Sequence, residues 1–299
     1  MPASDWFYYL ILFAVGLAFG SFLNVLTLRY HPGKKLFASD NIGGRSACLH
    51  CRKVLSWYEL VPLVSFFVQG GKCRHCQKKL SFQYPLVELA GGLIFLFVPL
   101  FLQKFFFYFN PVWGEVIFLS FSLVWILVFL SLLLAFIIDL KHYVIPNTIG
   151  LILFFLGIIW ILLGVFGGTF ASSFNGSFLK NFHILFPAVG NIWLAHLVGA
   201  AAGGIFFFLI VLASRGRAMG MGDVKLITAL GLLFGWPDIV LIIFLSFILG
   251  AVVSLILMAL GRKKISDLVP FGPFIVLAAG LVFFFGARLL SLYFGIIGM

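Results

Sequence analysis

Two aspartates, Asp139 and Asp223, are the residues of this sequence best placed for acid–base chemistry. Asp139 follows the apolar run LVFLSLLLAFII, and Asp223 closes the segment Gly220-Met221-Gly222-Asp223 ahead of a shorter apolar stretch. The helix dipole disfavours an anion at a helix carboxyl end, where Asp139 is expected. The plain alternatives are an interfacial aspartate that reaches water and a helix N-cap. The glycines beside Asp223 permit a close backbone approach that a cap does not require.

All four cysteines occur in two CxxC pairs, Cys48/Cys51 and Cys73/Cys76, with 21 residues between the pairs. Two such turns can complete a tetrahedral thiolate site, and the spacing is close to that of structural zinc sites. Disulfides or a redox relay are the alternatives, although a relay normally needs one CxxC rather than two in tandem. Because four thiolates saturate the ion, this zinc site is expected to stabilise the chain and do no chemistry.

The composition indicates that a membrane surrounds the elements that carry these residues. Of the 299 residues, 63% are apolar and 10% are charged, whereas an ordinary soluble domain has roughly 25% charged residues. So few charges cannot cover a water-facing surface. Collagen-like, disordered and disulfide-rich secreted chains are excluded by the same composition. The net charge of +11 would suggest nucleic acid in a soluble protein, but basic residues orient membrane proteins, and no nucleic-acid partner is expected.

Seven apolar segments are long enough for membrane-spanning helices, since a crossing takes about 20 residues. They cover residues 6–28, 85–103, 116–138, 148–166, 192–213, 239–260 and 271–293. The stretch 224–235 is shorter and is predicted to be an eighth span that begins inside the membrane plane or is extended by its flanks. The sequence therefore predicts an all-α polytopic membrane protein with about eight transmembrane helices. Its predicted parts are a first span at 1–29, a cytoplasmic zinc-binding subdomain at 30–84 and a membrane core at 85–299.

The basic residues support eight spans with the N-terminus outside. That topology places 17 of the 20 Lys and Arg residues in the inside loops, as the positive-inside rule requires. Asp139 and Asp223 then lie at the cytoplasmic ends of spans, at one membrane depth. Two facing carboxylates share a proton, so that one can activate water while the other polarises a peptide carbonyl. This is the arrangement of an aspartic protease placed at a membrane surface.

The motifs resemble those of the type IV prepilin peptidases, which are GxGD intramembrane aspartic proteases. The matching segments are GSFLNVLTLR at 20–29, the two CxxC pairs, SFQYPLVELAGGLIF at 81–95, Asp139 with Pro146 seven residues later, GMGDVK at 220–225 and PFGPF at 270–274. The resemblance implies a bacterial inner-membrane enzyme that removes the basic leader from prepilins or pseudopilins at the cytoplasmic face. It implies Asp139 and Asp223 as the catalytic pair, and Cys48, Cys51, Cys73 and Cys76 as zinc ligands. It also implies N-methylation of the new N-terminus with S-adenosylmethionine.

Other polar residues have expected supporting roles. Gly220, Gly222 and Lys225 belong to the same motif as Asp223 and are expected to support the site. Glu59 is expected to bind the basic leader, because its apolar segment, 54–68, is too short to span and is predicted to lie on the membrane face. Its alternative is a solvated surface residue. Most basic residues are expected to set topology and bind anionic lipid.

Two further acids are expected to have no part in the chemistry. Glu88 is expected to complement the N-terminus of its helix, with substrate binding as the alternative. Asp238 is expected to be solvated at a loop or interface.

Two other functions fit parts of the pattern. Buried acids occur in proton or ion relays, but these acids cluster at one face, and no inverted repeats with broken helices are evident. A scaffold or electron relay organised by the cysteines would leave Asp139 and Asp223 unexplained. Cleavage of a prepilin by the purified protein would distinguish a peptidase from these two alternatives.

Overall fold

The computed structural model describes residues 3–33, 35–105, 114–166, 177–180, 182, 189, 191–264 and 267–297. These residues contain α-helices and no β-strand. In chain order the helices are α1 (Ala3–Arg29), α2 (Ser39–Ile42), α3 (Val64–Val68), α4 (Gln83–Phe105), α5 (Gly114–His142), α6 (Asn147–Phe166), α7 (Ile192–Ser214), α8 (Met221–Phe234), α9 (Asp238–Ala259) and α10 (Gly272–Ile297). A 3₁₀ turn, Trp57–Leu60, precedes α3.

Seven of these helices are long and apolar enough to cross a membrane, namely α1, α4, α5, α6, α7, α9 and α10. All seven long spans expected from the sequence are therefore confirmed as helices of crossing length. The expected eighth span is a helix too, but α8 has only 14 residues. At 1.5 Å per residue it is about 21 Å long, which is less than the hydrocarbon core of about 30 Å.

The chain divides into two compact units, and the first contains Met1–Phe105 with Trp125–Leu134. Within it, α1 and α4 approach closely at glycines: a Cβ on Gly16 would lie 2.6 Å from the carbonyl oxygen of Gly91. The polar ends of the two helices are also joined, since the Asn24 side chain donates to the Tyr84 carbonyl at 3.1 Å. The loop that carries the cysteines is thus bracketed by two packed helices.

The second unit contains Phe106–Val124 and Ala135–Met299 and is built around α8. Ten of the 14 residues of α8 are buried. A Cβ on Gly199 of α7 would lie 2.7 Å from the Gly231 carbonyl oxygen of α8. Small residues four apart permit such a close approach of two helices. Because protein encloses most of α8, few of its side chains can contact lipid.

The second unit also contains a buried acid that the sequence placed in solvent. Asp238, the first residue of α9, is fully buried and accepts hydrogen bonds from the Ser177 hydroxyl at 2.5 Å and the Phe178 N–H at 2.7 Å. Phe178 is also buried and contacts the rings of Phe234 and Phe283. The expectation of a solvated Asp238 is wrong, because a segment far away in the sequence covers it. Most of the long loop at 167–191 lies outside the described residues.

Candidate active site and metal centre

Asp139 lies in the last turn of α5 and is 4% exposed. Its Oδ2 accepts a hydrogen bond of 3.1 Å from the backbone N–H of Gly272. Gly272 is the first residue of α10, where a backbone N–H has no acceptor inside its own helix. The N-terminus of α10 thus supplies a hydrogen-bond donor to Asp139. The carboxyl end of α5 offers no such donor to an anion.

Position 272 has room for a glycine alone. A Cβ at this position would lie 2.6 Å from Oδ2 of Asp139 and 3.0 Å from Cδ1 of Ile145. A separation of 2.6 Å is closer than real Cβ atoms approach other heavy atoms, so either Asp139 or the start of α10 would have to move. The glycine of the PFGPF segment is therefore tied to the position of one candidate catalytic acid.

Asp223 is the third residue of α8 and is 9% exposed. Its Oδ2 accepts the backbone N–H of Gly220 at 3.2 Å, and its own N–H donates to the Gly220 carbonyl at 3.2 Å. The carboxylate therefore satisfies a backbone donor at the start of the helix, where the dipole favours negative charge. Asp223 is therefore not the N-cap that the sequence offered as an alternative, because Gly220 is the cap residue and Asp223 is the third residue of the helix.

The two acids lie in one site. The charge of Asp139 acts on the carboxyl group of Asp223, so the two side chains are within electrostatic range. Ile145 also connects their surroundings, since a Cβ on Gly222 would lie 3.2 Å from Cβ of Ile145. The motif glycine beside Asp223 and the PFGPF glycine beside Asp139 thus contact the same isoleucine. Three segments far apart in the chain converge here, as the sequence-based pairing of the two acids requires.

The packing of α7 against α8 shows how deep Asp223 lies. The two helices run antiparallel, with Gly199 beside Gly231 and Gly203 beside Ile227. By the same register, Asp223 lies at the level of Phe207. Because α7 continues to Ser214, it extends about 10 Å past that level at 1.5 Å per residue. The acid is therefore recessed below the end of the neighbouring helix α7.

Such a pair can perform acid–base hydrolysis. One ionised carboxylate can take a proton from water as the water oxygen attacks a peptide carbonyl carbon. The other carboxyl group, still protonated, can donate a hydrogen bond to the carbonyl oxygen as negative charge develops there. Burial of both groups favours a shared proton over two separate charges.

Of the other motif residues, Lys225 lies on the exposed side of α8. Its Nζ donates to Oδ1 of Asn147, the first residue of α6, at 2.7 Å. The ammonium group therefore joins the starts of α6 and α8. Gly220 leaves more space than Gly222, because a Cβ on Gly220 would be 3.8 Å from the nearest atom, Oδ2 of Asp223.

The four cysteines form one cluster in the first unit. Their Sγ atoms all lie within 4.8 Å of one another, and those of Cys48 and Cys76 are 3.9 Å apart. Zn–S bonds of about 2.3 Å in a tetrahedron place sulfur atoms about 3.8 Å apart, so a cluster of this size could hold a metal ion such as zinc. No other group of three or more His, Cys, Asp or Glu residues within the described ranges could hold a metal ion.

The two CxxC turns have the same backbone geometry. The Cys48 N–H bonds the Lys53 carbonyl, and the Cys73 N–H bonds the Lys78 carbonyl. The residue after the second cysteine of each pair, Arg52 or Gln77, has a φ near +57°. Two equivalent turns that bring four thiols together fit a thiolate–metal site.

Glu59 is buried, in disagreement with the expectation that it meets a leader. It is 6% exposed, and its Oε2 accepts the backbone N–H of Ser56 at 2.9 Å. Its Oε1 lies 4.0 Å from Nε2 of His75, the histidine inside the second CxxC pair. In this position the carboxylate stabilises its own turn next to the cysteine cluster. Contact with a leader would require the turn to open.

Glu88 also differs from its expected role. It is the sixth residue of α4 rather than part of its first turn, and it is buried. Its Oε2 accepts the backbone N–H of Leu63 at 2.8 Å. The carboxylate therefore fastens the loop to the helix and does not complement the helix N-terminus.

Three contributors to the site were missed in the sequence: Gly272, Ile145 and Asn147. The signal for Gly272 was present, because a glycine between two prolines at the start of an apolar run marks a constrained helix start. Ile145 and Asn147 flank Pro146, which belongs to the Asp139 motif. No local pattern distinguishes them from ordinary loop residues.

The chain matches two family profiles. Residues 14–102 match the bacterial peptidase A24 N-terminal domain, and residues 125–255 match the type IV leader peptidase family. Three curated relatives are each named prepilin leader peptidase/N-methyltransferase. The Bacillus subtilis (strain 168) relative is 30% identical and aligns over 95% of this chain and 96% of its own length. The Aeromonas hydrophila relative is 28% identical, with 96% and 94% covered, and the Pseudomonas aeruginosa relative is 29% identical, with 93% and 91% covered. No solved structure matches this chain.

Proposed function

The chain belongs to the prepilin leader peptidase/N-methyltransferase family, and we propose that it cleaves prepilin leaders with Asp139 and Asp223 as the catalytic pair. The observation that carries the assignment is the convergence of two buried carboxylates, each holding a backbone N–H of a different helix start. No third acid is needed, since one base and one acid suffice for peptide hydrolysis. Incubating the purified protein with a prepilin and measuring the product mass tests the reaction.

The proposed mechanism uses the pair as a unit. The ionised carboxylate removes a proton from water, and the water oxygen bonds to the carbonyl carbon. The protonated carboxyl group stabilises the resulting oxyanion and then gives its proton to the leaving amide nitrogen as the C–N bond breaks. The N–H groups of Gly272 and Gly220 hold one oxygen of each acid, which leaves the second oxygens for water and substrate. Gly222 and Lys225 support this arrangement through Ile145 and Asn147.

The proposed location is the bacterial cytoplasmic membrane, with the N-terminus outside and both the cysteine loop and the acids on the cytoplasmic side. Support comes from the distribution of basic residues. The recessed level of Asp223 would put the scissile bond just inside the membrane boundary, where the hydrophobic helix of a prepilin begins. We retain the proposed division into a first span at 1–29, a zinc-binding subdomain at 30–84 and a membrane core at 85–299.

We propose that Cys48, Cys51, Cys73 and Cys76 hold a structural Zn²⁺. All four positions of the tetrahedron are filled by sulfur, so no position is open for water or substrate. The ion would supply folding stability to the loop. Its support is the fit of the sulfur cluster to zinc–thiolate distances.

Methylation of the new N-terminus is proposed from the names of the relatives. S-adenosylmethionine would supply the methyl group, and no residue of this chain is assigned to hold it. The same mass measurement separates the two activities: cleavage without the cofactor gives the bare product, and added S-adenosylmethionine raises the product mass by one methyl substitution. A cleaved product whose mass is unchanged by the cofactor would remove methylation from the proposal.

Leader binding by Glu59 remains a prediction. If Glu59 contacts the leader, Glu59→Gln weakens binding of a leader with several basic residues and spares one with a neutralised leader. If Glu59 only holds its turn through the Ser56 N–H, both leaders lose binding equally. Binding of matched basic and neutral leader variants to the purified protein distinguishes the two roles.

A further inference from the structure

A patch of exposed apolar side chains lies between the two cysteine pairs. It consists of Trp57, Val64, Phe67 and Val68, which are 79%, 57%, 67% and 71% exposed. The residues lie on the 3₁₀ turn Trp57–Leu60 and on α3, two elements too short to span a membrane. A loop in water would bury such side chains or replace them with polar ones. The patch, here called the 57–68 patch, needs an apolar or amphipathic partner.

The backbone next to the patch is fastened to a membrane-spanning helix. The Leu63 N–H donates to Oε2 of Glu88, which is five residues past Gln83, the first residue of α4. At 1.5 Å per residue, this bond lies about 8 Å along α4 from its start. The interfacial layer between hydrocarbon and water is about 5–8 Å thick on each side of a bilayer. The segment is therefore held beside the first two turns of α4, close to the end of a helix long enough to cross a membrane.

The bond to Glu88 also explains how the segment keeps an unusual backbone. Leu63 has φ 61° and ψ −54°, a conformation that residues with a side chain rarely adopt. Its buried acceptor and the edge-on contact between Phe66 and Phe82 hold the turn against α4. These contacts fix the orientation of the turn that exposes Phe67 and Val68.

The surroundings of the patch are strongly basic. Residues 51–80 contain one acid, Glu59, which is buried, and six basic residues: Arg52, Lys53, Lys72, Arg74, Lys78 and Lys79. All six are exposed. The Arg74 guanidinium lies 5.3 Å from the centre of the Tyr58 ring, so a cation also borders the aromatic residues. Apolar side chains bordered by Lys and Arg are typical of segments that lie on anionic membranes.

We propose that the 57–68 patch inserts into the headgroup layer of the same bilayer, on a leaflet that contains anionic lipid. Trp57 occupies the interface, where an indole meets both apolar and polar surroundings. Phe67 and Val68 contact the upper acyl chains, and the basic residues face lipid phosphates. The cysteine subdomain is thereby held against the membrane by lipid as well as by α1 and α4. This role is independent of the catalytic assignment.

Quenching of tryptophan fluorescence by brominated lipid tests the proposal in the full-length protein. Wild type and Trp57→Phe are reconstituted in nanodiscs of phosphatidylglycerol and phosphatidylcholine, with bromine at the upper acyl carbons. The wild type should show a bromine-quenched component that Trp57→Phe lacks. Trp160→Phe is the matched control, because Trp160 is fully buried and its removal should leave that component unchanged. Replacing phosphatidylglycerol with phosphatidylcholine should reduce the quenching of Trp57.

Three results would overturn the proposal. If Trp57 emission is quenched by aqueous iodide and not by bromolipid, the patch lies in water. If neither quencher acts on it, protein covers the patch. If quenching is the same without anionic lipid, the basic residues do not contribute. Should Trp57→Phe fail to fold, Tyr58→Phe/Phe67→Trp in the wild-type background adds a reporter at the patch whose emission should gain bromine quenching.

Discussion

The backbone N–H of Gly272 donates to the Asp139 carboxylate across 133 residues of sequence. This bond joins the start of α10 to the end of α5, and it places the PFGPF segment at the candidate active site. A carboxylate at a helix carboxyl end is electrostatically unfavourable on its own. The Gly272 donor offsets that disadvantage, so we infer that Gly272 is a positioning residue for Asp139.

Gly272→Ala should lower the turnover number by about 10²-fold, the effect of misplacing a catalytic group by about 1 Å. The added Cβ would meet Oδ2 of Asp139 at 2.6 Å. Gly295→Ala in the same helix is the control, because nothing lies within 4 Å of a Cβ there. Initial cleavage rates of the purified variants, with thermal unfolding measured in parallel, provide the comparison.

A second variant separates the two clashes at position 272. Gly272→Ala/Ile145→Val removes Cδ1 of Ile145, which the new Cβ would approach to 3.0 Å, and leaves the clash with Asp139. The double variant should stay as slow as Gly272→Ala. Recovery to the wild-type rate would show that packing against Ile145, and not the position of Asp139, is what the glycine protects.

The two glycines of the GMGD segment should differ in tolerance. Gly220→Ala places a Cβ 3.8 Å from Asp223, an ordinary contact, and should retain most activity. Gly222→Ala places a Cβ 3.2 Å from Cβ of Ile145, which cannot swing away because it is bound to the backbone. We expect the larger loss for Gly222→Ala in cleavage assays at equal protein concentration. A larger loss for Gly220→Ala would contradict the packing described for the site.

Replacing Cys48 or Cys73 with Ser should lower the metal content of the purified protein from about one ion per chain and shorten its lifetime in cells. Structural zinc contributes folding free energy of the order of 10 kcal/mol in small zinc domains. Molecules that remain folded should still cleave, since the cluster has no open position. Gln77→Asn, an exposed neighbour of Cys76, is the control. A stable wild-type protein that contains no metal would contradict the zinc assignment.

The side of the membrane on which the C-terminus lies depends on whether α8 completes a crossing. If α8 and its flanks complete an eighth crossing, both termini lie outside. Alkaline phosphatase fused after Met299 should then be active, and green fluorescent protein fused there should stay dark. A fluorescent fusion with an inactive phosphatase would indicate seven crossings and would contradict the proposed topology.

The sequence predicted the elements that local pattern controls. The long spans follow from apolar runs, and the cysteine cluster follows from the spacing of Cys48, Cys51, Cys73 and Cys76, because a CxxC turn is local geometry. The bonds from Gly272 to Asp139 and from Leu63 to Glu88 join distant segments, and a single sequence contains no record of such pairs. Asp238 shows the same limit, since only tertiary packing brings Ser177 over it.

Cleavage of a prepilin by Asp139→Asn, Asp223→Asn and the double variant tests the catalytic pair most directly. Each protein is purified, checked for folding, and incubated with the same prepilin, and the product is measured by mass spectrometry. Each single variant should lose about 10⁴-fold in rate, the upper range for a positioned acid–base group. The double variant should be no slower than either, because the two acids act as a unit. Substantial cleavage by a folded single variant would contradict the assignment.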